Sequence, residues 1–130
     1  MGPKHDDGDS KPSVLFVDDD PDIRELSRKI LTMNGFQVET ASTGRDAITL
    51  ARSLRPDLVM IDLGLPDIDG QEVAASLRET EGFSASIIAV TGRSESQLSP
   101  EMTARFDRII SKPVRFAELI PELGPLIDRT

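Results

Sequence analysis

Aspartates stand where a phosphate-and-magnesium site would need them. Asp18, Asp19 and Asp20 follow the apolar run 14–17, and Asp62 closes the apolar run 58–61. Pro66 and the pair Asp69-Gly70 lie just beyond Asp62. Thr91 closes the run 87–90, and Lys112, followed by Pro113, comes shortly after Ile109 and Ile110. Carboxylates held about 4 Å apart repel by roughly 4 kcal/mol per pair at an effective dielectric near 20, so such a cluster needs a cation. Hard oxygen donors with no His or Cys nearby suit Mg²⁺, which keeps several waters and shares phosphate oxygens. Lys112 offers a compact ammonium that can pair with a carboxylate and a phosphoryl group. Thr91 offers one hydroxyl donor. A Thr or a Lys at a strand end is ordinarily only surface; beside three acids in matching positions the two specify a site. Asp20 and Asp22, in or next to a first helical turn, read instead as a helix cap and its solvated neighbour.

The elements that must position these residues alternate along the chain. Ser13–Val17 reads as a buried strand, rich in β-branched and large apolar residues. Asp20-Pro21 supplies an N-cap and a proline at the first helical position. Ile23, Leu26, Ile30 and Met33 then fall on one helical face, and Asn34-Gly35 ends the helix. Residues 36–40 read as the second strand, and Ser42 or Thr43 caps a helix carrying Ala47, Leu50, Ala51 and Leu54, stopped by Arg55-Pro56. Residues 58–61 form a third strand and 63–69 a loop, with a third helix from Gly70 through Leu77. Residues 86–90 are a fourth strand, 95–104 a weaker helix, Arg108–Ser111 a short fifth strand, and a last helix begins near Arg115. Pro121 and Pro125 fall inside that last helix, and an interior proline costs about 3 kcal/mol against alanine, so a kink or restart is expected. Five βα units at this spacing predict an α/β fold with a parallel sheet, helices on both faces and right-handed crossovers. The flavodoxin-like doubly wound order 2-1-3-4-5 puts strands one and three side by side and the chemistry at the carboxyl edge of the sheet.

Composition narrows the classes. A chain of 130 residues fits one compact domain. Met1 to Pro12 are polar and without periodicity and read as a disordered leader, 1–12, ahead of a domain spanning 13–130. His5 lies in that leader and is the single histidine, which argues against an internal histidine phosphodonor or a Ser-His-Asp triad. No cysteine is present, so neither disulfides nor thiolate metal sites are available. No apolar run is long enough to span a membrane or to resemble a secretory signal, and a cytoplasmic location is expected. A net charge of −8 argues against direct nucleic-acid binding.

The strings VLFVDDDPDIRE, PDLVMIDLGLPDIDG, IIAVTG and IISKPV resemble those of response-regulator receiver domains of two-component phosphorelay signalling, in order and from about Ser13 to the end. The resemblance implies a phosphoacceptor signalling domain rather than a dedicated enzyme, with only self-catalysed phosphoryl transfer and autodephosphorylation. Asp62 would be the phosphoacceptor, attacking the phosphorus of a phosphohistidine. Asp19, Asp62 and the main-chain carbonyl of Gly64 would bind Mg²⁺ directly, and Asp18 mainly through water. Lys112 would contact the phosphoryl group and Asp62, Thr91 would donate to a phosphoryl oxygen after transfer, and the Lys112–Pro113 bond would be cis. The implied partners are a histidine kinase or histidine phosphotransfer protein and a downstream effector protein or domain. Effectors would bind on the face of the fourth helix, fifth strand and fifth helix, and a phosphorylation-dependent dimer is among the implied assemblies.

Three positions depart from the family pattern. Ile109 stands where an aromatic is common, Gly64 offers no side chain two residues past the acceptor, and Arg93 is long and cationic two residues past Thr91. The switch is therefore expected to run through Thr91 and the loop 92–96, with Ile109 as a passive filler. Rival readings fit less well. A haloacid-dehalogenase-like phosphatase also uses an Asp pair after its first strand, but Asp22 stands where that motif wants Thr or Val, and there is no room for a cap. A flavodoxin-type cofactor binder would place a Ser/Thr/Gly phosphate loop where this chain has three aspartates. A receiver-like scaffold that binds partners without phosphorylation would be expected to lose some of the acids or Lys112.

Overall fold

The computed structural model describes residues 11–92 and 98–127. It contains five strands: β1 (Ser13–Val17), β2 (Gln37–Ala41), β3 (Leu58–Asp62), β4 (Ser86–Thr91) and β5 (Arg108–Ser111). Each is followed by a helix: α1 (Pro21–Met33), α2 (Gly44–Leu54), α3 (Gly70–Arg78), α4 (Pro100–Ala104) and α5 (Phe116–Ile127). All strand pairs are parallel, in the order β2-β1-β3-β4-β5. That is the doubly wound α/β order expected from the sequence.

The sheet separates two cores. Leu15, Val17, Val59, Ile61, Ile87 and Ala89 point to one face and pack with Ala47 and Ala51 of α2 and Val73, Ala74 and Leu77 of α3. The alternate residues Val14, Phe16, Leu58, Met60, Ile88 and Val90 pack on the other face with Leu31 of α1 and with Leu119 and Leu123 of α5. The period of two along each strand produces this division. Burial on both faces is why β1, β3 and β4 are nearly all apolar.

Local chemistry sets the helix boundaries. Asp20 caps α1 by accepting from the amides of Asp22 and Ile23, with Pro21 at the first helical position. Thr43, rather than Ser42, caps α2 by accepting from the Asp46 amide at 3.1 Å. Arg55 closes α2 in the left-handed conformation, at φ 50°.

Three expectations shift. β2 begins one residue later than expected, because Phe36 belongs to the end of α1: its amide donates to the Leu31 carbonyl at 3.1 Å and its ring is buried with the α1 core. The fourth helix covers only Pro100–Ala104, and residues 95–97 lie outside the described residues. α5 neither stops nor restarts at its prolines. Leu119 and Leu123 anchor it, and Ser86 Oγ donates to the Leu126 carbonyl at 2.5 Å, so tertiary contacts hold a helix that propensity alone disfavours.

Candidate functional site

Strand register brings the acids together. Val17 pairs with Ile61, so the residues that follow, Asp18 and Asp62, stand side by side at the carboxyl edge. Asp62 in turn is level with Val90, which puts Thr91 one residue above it, and Thr91 pairs with Ser111, the residue before Lys112. Backbone hydrogen bonds continue past the strand ends: the Asp18 amide donates to the Ala41 carbonyl, the Leu63 amide to the Val90 carbonyl and the Lys112 amide to the Thr91 carbonyl. These bonds hold the tips of adjacent strands level.

Lys112 Nζ lies 3.1 Å from Asp62 Oδ2 and 3.2 Å from Asp18 Oδ2. Both carboxylates are buried, Asp18 with 1% and Asp62 with 7% of its surface exposed, as is Thr91. Partial burial alone would depress the Lys112 ammonium, yet hydrogen bonds from it to Asp62 and Asp18 hold its pKa above the ordinary lysine value. The ammonium is therefore a fixed charge at neutral pH. The remaining carboxylate oxygens are also engaged. Asp18 Oδ1 accepts from the Asp20 amide and Asp62 Oδ1 from the Gly64 amide, each at 2.9 Å. Lys112–Pro113 is a cis peptide.

Asp18, Asp19 and Asp62 each offer a carboxylate oxygen, and the three atoms lie within 4.8 Å of one another. Asp19 is exposed and the other two are buried, so the cluster opens to solvent on one side. Oxygen-only donors of this number fit Mg²⁺, a hard cation that binds through one or two carboxylates and keeps water in its remaining positions. Gly64 is exposed two residues beyond Asp62, and a methyl group there would meet nothing closer than Asp62 Oδ1 at 3.7 Å. Gly70 is confined: a Cβ would sit 2.7 Å from the Asp62 carbonyl oxygen and 2.9 Å from Leu63 Cα. Asp69 caps α3 by accepting from the Gln71 amide at 3.0 Å. Ile109 is half-buried against the α2–α3 core, while Arg93 and His5 lie outside the described residues.

Sequence reasoning overlooked two neighbours of the site. The Arg24 guanidinium, one turn into α1, donates to the Asp18 carbonyl at 2.9 Å. Asp67, in the loop after Asp62, accepts from the amides of Gly44 and Arg45 at 2.8 and 3.0 Å. The one sequence signal for the second was a glycine, Gly44, opening a helix: a Cβ there would lie 2.4 Å from Ile68 Cγ1 and 2.9 Å from Val73 Cγ2.

The response regulator receiver domain model matches residues 14–123. The chain is 40% identical over 118 residues to the response regulator MprA of Mycolicibacterium vanbaalenii, an alignment covering 90% of this chain and 51% of that protein. It thus spans about half the length of the curated relatives it matches. Among solved structures, it resembles a CheY-like response regulator receiver domain from Methylobacillus flagellatus, with TM-score 0.83 and 31% identity over 89% of this chain and 98% of that one. The response regulator TrrA from Thermotoga maritima, crystallised in complex with Mg²⁺-BeF, is similar with TM-score 0.78 and 34% identity, covering 88% of this chain and 98% of its own.

Proposed function

The chain belongs to the response regulator receiver domain family, and from that membership we propose that it takes a phosphoryl group onto Asp62 and changes its protein contacts in response. One observation carries the reading. A single ammonium, Lys112, is held 3.1 Å from Asp62 and 3.2 Å from Asp18, beside a third carboxylate, Asp19. A positive charge and a carboxylate cluster so arranged can bind a phosphoryl group and a divalent cation together.

In the proposed reaction an Asp62 carboxylate oxygen attacks the phosphorus of a phosphohistidine. The O–P bond forms as the P–N bond breaks, and the imidazole leaves with the electron pair and takes up a proton. Lys112 neutralises charge on the phosphoryl oxygens, and Thr91 donates its hydroxyl to one of them after transfer. Asp19, Asp62 and the Gly64 carbonyl would hold Mg²⁺, with Asp18 acting through a water. When bound, the ion supplies charge neutralisation and in-line positioning, which is most of what phosphoryl transfer requires of a protein. Hydrolysis of the resulting acyl phosphate by water returns Asp62 to its free carboxylate.

The donor is a histidine kinase or histidine phosphotransfer protein and the site of action the cytoplasm. The readout is altered binding of an effector protein or domain to the face formed by α4, β5 and α5, with a phosphorylation-dependent dimer as one form of it. Incubation with phosphoramidate, with and without Mg²⁺, tests the reading. It predicts one phosphoryl group per chain in Mg²⁺ and little in chelator. Equal labelling under both conditions would refute the metal's part in it.

A further inference from the structure

We infer that Asp67 is a positioning residue: it fastens the loop that carries Gly64 to the start of α2 and thereby sets the metal-binding geometry beside Asp62. The inference deepens the proposed function and rests on it for the identity of the ion.

Just past Asp62 the loop is held by the Leu63 amide on the Val90 carbonyl and the Gly64 amide on Asp62 Oδ1. The side chains of Leu63 and Leu65 are buried, whereas Gly64 and Pro66 are exposed. The next anchor is Asp67, whose two carboxylate oxygens each accept from one of two successive amides, Gly44 at 2.8 Å and Arg45 at 3.0 Å, more than twenty residues away in sequence. Those amides belong to the first turn of α2, where backbone donors have no partner within the helix. The neighbouring Ile68 side chain fills the space in which a Gly44 Cβ would stand, so the loop and the helix start fit face to face. The carboxylate is held at a pKa of about 2: its desolvation is outweighed by backbone hydrogen bonds, those from Gly44 and Arg45 foremost. The ion pair with Arg45 contributes little, at 3.8 Å and with the Arg45 side chain 80% exposed.

The Gly64 carbonyl therefore lies between two core side chains, Leu63 and Leu65, on a loop whose exposed far end, past Pro66, is fastened by Asp67. Thr43 provides an internal control. It caps the same helix through the Asp46 amide but touches no part of the 63–69 loop in the bonds described. If Asp67 served only to cap α2, removing either residue would have the same consequence. As a positioning residue it acts on the metal as well, because groups that orient metal ligands typically change affinity about tenfold or more when removed.

The experiment compares the wild-type chain with Asp67→Ala, Asp67→Asn and Thr43→Ala by amide chemical shifts in a Mg²⁺ titration and by thermal melts. Both alanine variants should melt earlier. Asp67→Ala should also bind Mg²⁺ about tenfold more weakly, while Thr43→Ala binds as wild type does and Asp67→Asn, keeping one acceptor oxygen, falls between. In the metal-free protein the Gly64 amide resonance should move in Asp67→Ala and not in Thr43→Ala. Wild-type Mg²⁺ affinity in Asp67→Ala, or an unmoved Gly64 amide, overturns the inference; should that variant not fold, wild-type affinity in Asp67→Asn does so. A wild-type chain that binds no Mg²⁺ refutes the functional reading instead, and the metal-free Gly64 shift still decides whether Asp67 fastens the loop.

Discussion

Lys112 Nζ donates to Asp62 Oδ2 at 3.1 Å across a sequence separation of 50 residues. Because the same nitrogen is 3.2 Å from Asp18, one cation is shared by two buried carboxylates. Asp19, the third member of the cluster, has no ion-pair partner among the described residues. Its charge is the uncompensated one when no metal is bound.

Stability without metal should follow that asymmetry. Asp19→Asn is expected to raise it by about 1 kcal/mol, the Coulomb repulsion reduced by solvent around an exposed group. Asp62→Ala should raise it less, because it also removes a partner of Lys112. Lys112→Met leaves two buried carboxylates unpaired and should cost about 3 kcal/mol. Thermal melts decide the order. Stabilisation by Mg²⁺ should shrink in Asp19→Asn and Asp62→Ala, since binding to the native state is its source. Equal midpoints and unchanged Mg²⁺ shifts would contradict the metal cluster.

The two glycines near the acceptor should respond unequally to the same methyl group. Gly70→Ala drives a Cβ against the backbone of Asp62 and Leu63, which cannot swing aside, and should destabilise by about 1–3 kcal/mol. Gly64→Ala places its Cβ at an ordinary contact distance and should leave the midpoint nearly unchanged. Chemical denaturation of both variants is the check.

The pH dependence of Asp67 has a definite sign. Its folded pKa, about 2, lies below the ordinary aspartate value of 3.8, so its contribution to stability is present above the unfolded value and is lost as pH falls through the folded one. The difference in midpoint between wild type and Asp67→Asn should be constant from neutral pH down to the unfolded carboxylate range and should narrow below it. A difference that grows on acidification would be inconsistent with the hydrogen-bonded carboxylate.

Much of this was readable in the sequence because the physics was local. Strands buried on both faces announce themselves as apolar runs, and Asp20-Pro21 marks its helix start through two adjacent residues. What escaped depended on distant partners. Phe36 looks like the first residue of a strand, but its amide closes α1. The prolines of α5 look like breaks, but Leu119, Leu123 and the Ser86 hydroxyl hold the helix together. Asp67 gave no local sign of its role, since the amides it accepts from begin another helix.

Thr91 should couple phosphorylation to conformation. It is buried one residue beyond the level of Asp62, and its carbonyl accepts from the Lys112 amide. Thr91→Ala should still take up phosphate but lose most of the beryllofluoride-induced amide shifts over residues 92–96. Ile109→Val, a small change in a packed filler, should retain them. A full wild-type shift pattern in Thr91→Ala would break the coupling.

The central claim is that Asp62 accepts the phosphoryl group, and trapping the acyl phosphate tests it most directly. After phosphorylation by phosphoramidate in Mg²⁺, borohydride reduces an aspartyl phosphate to homoserine, and peptide mass mapping locates the change. Homoserine at position 62 in the wild-type chain, and at no position in Asp62→Asn, is the predicted result. Homoserine at Asp18 or Asp19, or undiminished phosphoryl uptake by Asp62→Asn, would contradict it.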